Sequence, residues 1–158
     1  MKIKIISIGK VKNNNILNLC NDYRQRIMHS AKIDEVIFKN STKESENKKI
    51  VSHLLKSKDY KIALSQDGEI ISSENFAKIL SMMNDRSSCF IIGGSDGLNN
   101  QTKSNCDKII SLSPMTFTHE LAKLFLLEQI YRSITIFQNK IVLLYLDLIT
   151  KEKLRCRR

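Results

Sequence analysis

Cys89-Phe90-Ile91-Ile92-Gly93-Gly94-Ser95-Asp96-Gly97-Leu98 decides how the rest of the chain is read. An unbroken apolar run of this length is a strand buried on both faces, as strands are in a parallel sheet covered by helices. The glycines that follow permit positive φ angles and let a ligand lie directly on the main chain. Taken alone, the segment is also readable as a tight connection and nothing more. It is not G-x-G-x-x-G and no G-K-[ST] follows, which argues against a dinucleotide fingerprint and a phosphate-cradling P-loop.

Upstream of that segment, Lys2 to Ile8 alternates before turning wholly apolar and stops at Gly9, which predicts a first strand. Ile16, Leu19, Cys20, Tyr23 and Ile27 recur at helical spacing, so Asn15 to about His29 is an expected amphipathic helix with Arg24 and Arg26 toward its polar face. A strand over Ile33 to Phe38 follows. Asn40 to Lys49 is polar and charged and is expected to be a mobile loop before a helix whose stripe is Ile50, Val51, Leu54 and Leu55. Tyr60 to Ser65 reads as a strand closed by the turn signal Asp67-Gly68, and Ser72 or Ser73 caps a helix carrying Phe76, Ile79, Leu80 and Met83.

Downstream come a short helical stretch around Asn100 to Asn105, a strand over Lys108 to Leu112, and a loop holding the only proline, Pro114. Thr118 is placed to cap a last helix from His119 to about Phe137. Strand and helix alternate throughout, which predicts a single α/β domain with a mostly parallel sheet, helices on both faces, and ligand sites at the carboxyl ends of the strands.

The chain has 26 Lys and Arg against 16 Asp and Glu, a formal net charge of +10. Such a surplus points to an anionic partner, nucleic acid being the commonest, or to basic residues that simply solvate the surface. Cys20, Cys89, Cys106 and Cys156 are far apart, with no C-x-x-C pair and no histidine at ligand spacing, so neither a zinc site nor a disulfide framework is expected and no metal is called for. No apolar stretch approaches the roughly 20 residues of a membrane span, and the opening residues do not form a secretory signal. The expectation is a soluble, cytoplasmic protein without a membrane partner.

The glycine segment gains meaning from what accompanies it. Ile92-Gly93-Gly94-Ser95-Asp96-Gly97-Leu98, then Leu112-Ser113-Pro114-Met115-Thr116-Phe117 with His119, then Glu128-Gln129-Ile130-Tyr131-Arg132 occur in one order. In this the chain resembles the RlmH family of the SPOUT superfamily, and the likeness extends to the opening Lys2-to-Lys10 segment and to Ala63-Leu64-Ser65-Gln66-Asp67-Gly68. The resemblance covers residues 1 to about 139. It implies an S-adenosylmethionine-dependent methyltransferase acting on N3 of a pseudouridine in the helix 69 hairpin of 23S ribosomal RNA, on the assembled ribosome and as a homodimer. It further implies that Leu64, Gly93, Leu112, Ser113, Pro114, Met115, Thr116 and Phe117 surround the cofactor, and that a C-terminal trefoil knot is present. Pattern alone predicts only a plain doubly wound sheet.

Methylating an imide nitrogen requires that its proton leave, so a base or a stabilising cation is sought near the cofactor loops. His119 begins a helix, where the dipole favours a neutral imidazole that can act as base, although it could equally pack or hydrogen-bond at the helix start. Arg132 could stabilise the deprotonated base or hold a phosphate, or it could pair with Glu128 one turn away. His29 and His53 fall in helical patterns far from the loops and are read as structural. The last helix is apolar on most of its faces, which suits burial against both its own domain and a second subunit.

Two departures from the family pattern stand out. Thr118 replaces a usual proline, which implies a less rigid loop. Relatives end in a short tail with Tyr-His and a basic residue over the active site, whereas residues 140–158 here are apolar and then basic, with no histidine. The expectation is that this tail arises from an altered reading frame or read-through and impairs transfer to RNA, leaving a noncatalytic RNA-binding module as the alternative function.

Overall fold

The first strand shows why the sheet is covered on both sides. In a computed structural model that describes residues 1–83 and 86–138, Ile3 and Ile5 enter one hydrophobic cluster and Ile6 and Ile8 the other. Alternate side chains of a strand point to opposite faces, so an apolar stretch this dense needs helices above and below.

The elements are β1 (Lys2–Ile8), α1 (Asn14–Met28), β2 (Lys32–Phe38), α2 (Lys43–Leu54), β3 (Tyr60–Ile70), α3 (Ser73–Met82), β4 (Ser88–Ile92), α4 (Asn100–Ser104), β5 (Lys108–Ser111) and α5 (His119–Phe137). The five strands lie in the order β2-β1-β4-β3-β5, and every pairing is parallel. Cys20 and Ile27 of α1, Phe76 and Leu80 of α3, and Leu126, Leu127, Ile130 and Ile134 of α5 fill one core cluster. Ile50 and Leu54 of α2 pack with Ile91 and Leu98 in the other. The chain leaves β1 toward the β2 edge and leaves β4 toward β5, so successive connections diverge between the neighbours β1 and β4. A crevice outside the strand ends is expected at such a switch point.

Three local readings are corrected. The charged lead-in to α2 is helical from Lys43: Thr42 caps it by accepting the Ser45 N–H, Glu44 and Glu46 occupy the first turns, and Glu46 and Asn47 are buried. Acidic residues near a helix N-terminus are stabilised by its dipole, so the composition that suggests a loop is that of a well-started helix. Leu55 falls at the C-cap and is exposed, outside the buried stripe. The Asp67-Gly68 turn does not end β3; the register against β5 shifts between Leu64 and Glu69, both aligned with Ile110, and the strand then runs on to Ile70. The excursion is a bulge inside the strand.

Candidate functional site

Three loop origins converge because three strands are adjacent. Leu64 of β3 is in register with Ile92 of β4, which precedes Gly93, and with Ile110 of β5, which precedes Ser111 and Leu112. Leu64, Gly93 and Leu112 are thereby gathered at one edge of the sheet from distant parts of the chain.

The glycine loop is shaped from α2. Gly97 has φ +70°, and its N–H donates to the Gly94 carbonyl at 3.1 Å, closing the turn. Asn47, 1% exposed, accepts from the Asn99 N–H at 2.9 Å and the Thr102 hydroxyl at 2.6 Å, while its amide donates to the Lys43 carbonyl at 2.8 Å. A buried amide so fully engaged holds the outgoing limb of the loop in one shape.

The second loop is organised by its own hydroxyls. Ser111 Oγ donates to the Ser113 carbonyl at 2.7 Å, and Ser113 Oγ accepts the Met115 N–H at 3.0 Å. Pro114, Met115, Thr116 and Phe117 are exposed, and the Phe117 ring lies 4.9 Å from that of Phe125 on α5. Thr118 caps α5 by accepting the Leu121 N–H at 3.4 Å, as expected.

Beside this loop is a cleft of about 200 Å3, lined on one wall by Ser72, Ser73 and Phe76 and on the other by Leu112, Phe117 and Gln129. Drug-sized ligands occupy roughly 300–1,000 Å3, so the cleft suits one planar ring system of a larger molecule. Of the eight residues expected around a cofactor, Leu112 and Phe117 line it; Leu64, Gly93 and Ser113 to Thr116 do not. Ser73, Phe125 and Gln129 also line it, although the sequence marks Ser73 only as a cap, Phe125 only as part of an apolar helix and Gln129 only as part of a motif. Ser73 Oγ donates to Gln129 Oε1 at 2.8 Å, Gln129 donates to Glu128 at 2.5 Å, and Glu128 accepts from Arg132 Nε at 2.8 Å. Arg132 is therefore engaged in the ion pair with Glu128 and orients the chain of groups that ends in the cleft.

His119 lies elsewhere, over the end of β1. Gly9 has φ +77°, and a Cβ placed on it would lie 3.2 Å from His119 Nε2 and 2.5 Å from Asn40 Oδ1. The missing side chain leaves the room that the imidazole and the amide each approach. Glu120 secures the arrangement by accepting the Lys12 N–H at 3.0 Å and the Asn13 N–H at 3.2 Å, contacts that hold its carboxyl below the usual range. Deeper along α5, Lys123 is 3% exposed and donates to Glu35 at 2.7 Å, and Glu35 also accepts from Arg24 Nε at 2.6 Å. Thirteen positions separate His119 from Arg132 on one helix, about 20 Å at 1.5 Å per residue. The two candidates do not share a site within one chain.

The buried thiols and the other two histidines stand apart from these loops. Burial pushes the Cys89 thiol up to about 12 and that of Cys106 to about 11, which removes both as thiolate nucleophiles. His53 stands edge-on to Phe38, and His29 is the C-cap residue of α1. Among the described residues no helix is long and apolar enough to cross a membrane, and no three His, Cys, Asp or Glu side chains gather where they could hold a metal ion. The segment 140–158 lies outside the described residues.

Residues 1–141 match a family model described as predicted SPOUT methyltransferase. Among curated proteins, the chain is 41% identical over 154 residues to a ribosomal RNA large subunit methyltransferase H of Ureaplasma parvum, covering 88% of this chain and 97% of that protein. It is 39% identical over 143 residues to the protein of the same name from Acholeplasma laidlawii, with the same coverage. Among solved structures, a probable methyltransferase from Bordetella pertussis superposes with a TM-score of 0.51 at 10% identity, over 83% of this chain and 95% of that one. A probable methylase family protein from Haemophilus influenzae gives 0.52 at 13% identity, over 91% and 69%. At such identities these structures speak for the fold alone.

Proposed function

Because the chain belongs to the SPOUT methyltransferase family, we propose that it transfers a methyl group from S-adenosylmethionine to large-subunit ribosomal RNA, at N3 of a pseudouridine in the helix 69 hairpin of 23S rRNA. The observation that carries the reading is the meeting of the Leu64, Gly93 and Leu112 loop origins beside a switch point where His119 stands over Gly9. The printed names of the relatives support ribosomal RNA as substrate, and the net charge of +10 suits a polyanion. The work is done in the cytoplasm, on the assembled ribosome, by a homodimer, and α5 passes through the trefoil knot that the family resemblance implies.

The residues present fit the cofactor. The cleft offers aromatic and apolar walls for a purine with Ser73 and Gln129 for its polar edge. When bound, S-adenosylmethionine supplies a methyl group already activated by positive sulfur. Leu112 to Phe117 and the Gly93 loop fix its orientation, and alignment of this kind is worth about 7–11 kcal/mol. In this reading His119 takes the imide proton at Nε2, and Asn40, which also approaches Gly9, orients the uracil edge. Arg132, held by Glu128, keeps Gln129 turned to the cleft.

The test is transfer of a labelled methyl group to ribosomes lacking the modification. His119→Ala should lower the rate about 10²–10⁴-fold, the range for loss of a general base, with cofactor affinity unchanged. Cofactor and ribosome binding by the parent protein without any transfer would favour the noncatalytic RNA-binding alternative; absence of cofactor binding would defeat the proposal.

A further inference from the structure

All five β-to-α connections leave the sheet at one edge, because every strand runs the same way, and their charges divide between its two halves. The connections after β1 and β2, residues 9–13 and 39–42, carry Lys10, Lys12 and Lys39 and no carboxylate, and Lys43 follows at the start of α2. The connections after β3, β4 and β5, residues 71–72, 93–99 and 112–118, carry no lysine or arginine and a single carboxylate, Asp96. Lys103 and Lys108, which approach β3, are both engaged in ion pairs, with Asp67 at 2.7 Å and Glu69 at 2.6 Å. The division coincides with the roles assigned above. Leu64, Gly93 and Leu112 belong to the half without free cations, and His119 stands over Gly9 in the basic half.

The basic half is built against His119. Ile8 and Phe38 are in register, and the Gly9 N–H donates to the Phe38 carbonyl at 2.8 Å, so Lys10 and Lys39 directly follow the two residues joined by that bond. The Lys12 N–H donates to Glu120 at 3.0 Å, which fixes this lysine's main chain to the residue after His119. Lys10, Lys12 and Lys39 are exposed, and among the described residues no ion pair engages them or Lys43. Glu120, the acidic neighbour on α5, is occupied by the main-chain N–H groups of Lys12 and Asn13. Lys43 sits in the first turn of α2, where the helix dipole disfavours a cation, so helix stability does not explain it.

We propose that the β1–α1 and β2–α2 connections form the track for the phosphate backbone of the acceptor RNA, with Lys10, Lys12 and Lys39 holding phosphates that flank the nucleotide presented to His119. The inference rests on the reading of RNA as acceptor. A polyanion is bound by cations that release its counterions. S-Adenosylmethionine, with a sulfonium and an ammonium against one carboxylate, carries net positive charge and is best served by loops without lysine. Phosphate contacts fix register and orientation but carry no sequence information, so these lysines position the strand and leave the choice of base to the site.

Binding of the full chain to ribosomes lacking the modification, followed across a salt series, tests this together with cofactor calorimetry and the kinetics of labelled methyl transfer. Lys10→Gln with Lys39→Gln should weaken ribosome binding about tenfold or more at about 0.1 M salt, and should flatten the slope of log affinity against log salt by about 2, one unit for each phosphate contact. KM for ribosomes should rise more than kcat falls, and affinity for S-adenosylmethionine should match that of the parent. Arginine at both positions should restore binding and slope, because a phosphate contact requires the charge and a donor, which arginine also supplies. Lys56→Gln with Lys58→Gln removes the same charge from the α2–β3 connection at the opposite edge, and should leave binding and slope as in the parent. Equal weakening by the two glutamine pairs, an unchanged slope in the Lys10 and Lys39 variant, or failure of arginine to restore binding would overturn the proposal. A parent protein that binds S-adenosylmethionine but not ribosomes would instead defeat the RNA reading beneath it.

Discussion

At the scale of single residues, the site depends on what two glycines make possible. Gly9 and Gly97 both have positive φ, but a Cβ on Gly97 would meet nothing within 4 Å, whereas one on Gly9 would strike Asn40 and crowd His119. Gly97→Ala should therefore cost only the left-handed backbone penalty, about 1–2 kcal/mol, and Gly9→Ala that penalty plus a further 1–3 kcal/mol or so of steric strain. Urea unfolding of the two variants checks the order, and methyl transfer should fall further for Gly9→Ala because its clash displaces His119; equal losses would show that Gly9 does not shape the site. The sequence displays Gly9 only as the end of a strand, and Asn40 and Glu46 only as members of a polar run. Asn40 reaches Gly9 because β1 pairs with β2, and Glu46 reaches Gly94 because β1 and β4 are neighbours under α2, pairings that nothing local in the chain encodes. His119 and the Leu112 to Phe117 loop were legible because they form one contiguous motif.

At the scale of elements, most boundaries follow from period and caps, and the exceptions have physical causes. The 3.6-residue stripe of α5 ends where expected because Thr118 begins it and its apolar face is continuous. The start of α2 was hidden because its first turns bury Glu46 and Asn47 rather than apolar residues. The sequence predicts a strand that stops at Ser65 because a bulge and a terminal turn share the same residues, Asp67 and Gly68; only pairing with β5 distinguishes them. That bulge is tied to α4 by Lys103, whose Nζ donates to both carboxylate oxygens of Asp67 at 2.7 and 2.9 Å. The Lys103 contact, helped by the Ser65 hydroxyl, lowers the Asp67 carboxyl from 3.8 to about 2. A carboxyl lowered in the folded state contributes stability that is complete above its unfolded value and lost as pH falls through the folded one. The window here runs from about pH 4 down to about pH 2. Asp67 is 60% exposed, so the contribution is small and screened by salt. Chemical unfolding across that window should show the gap between the parent and Asp67→Asn closing toward acid, and closing at every pH in high salt. Parallel pH profiles would mean that the Lys103 contact does not support the bulge.

At the scale of the whole molecule, α5 faces two ways. Leu126, Leu127, Ile130 and Ile134 are buried against the sheet and its neighbours, while Phe125 and Phe137 remain 39% and 40% exposed on the same helix. Among the described residues nothing more covers them, and a second copy laid along α5 is the occupant in keeping with the proposed homodimer. Two chains of net charge +10 repel each other, so association has to be driven by apolar contact and should strengthen as salt screens the repulsion. RNA binding by the same surface charge must weaken with salt, because it draws on counterion release. The opposite signs separate the two interactions in one titration. Sedimentation should give twice the chain mass, and the melting temperature should fall with dilution, each tenfold step removing about 1.4 kcal/mol from the dimer. Phe125→Glu should bring the mass toward that of one chain and abolish the concentration dependence. A single-chain mass for the parent, with a melting temperature indifferent to concentration and salt, would mean that the apolar outer side of α5 serves the cleft alone, through the contact of Phe125 with Phe117.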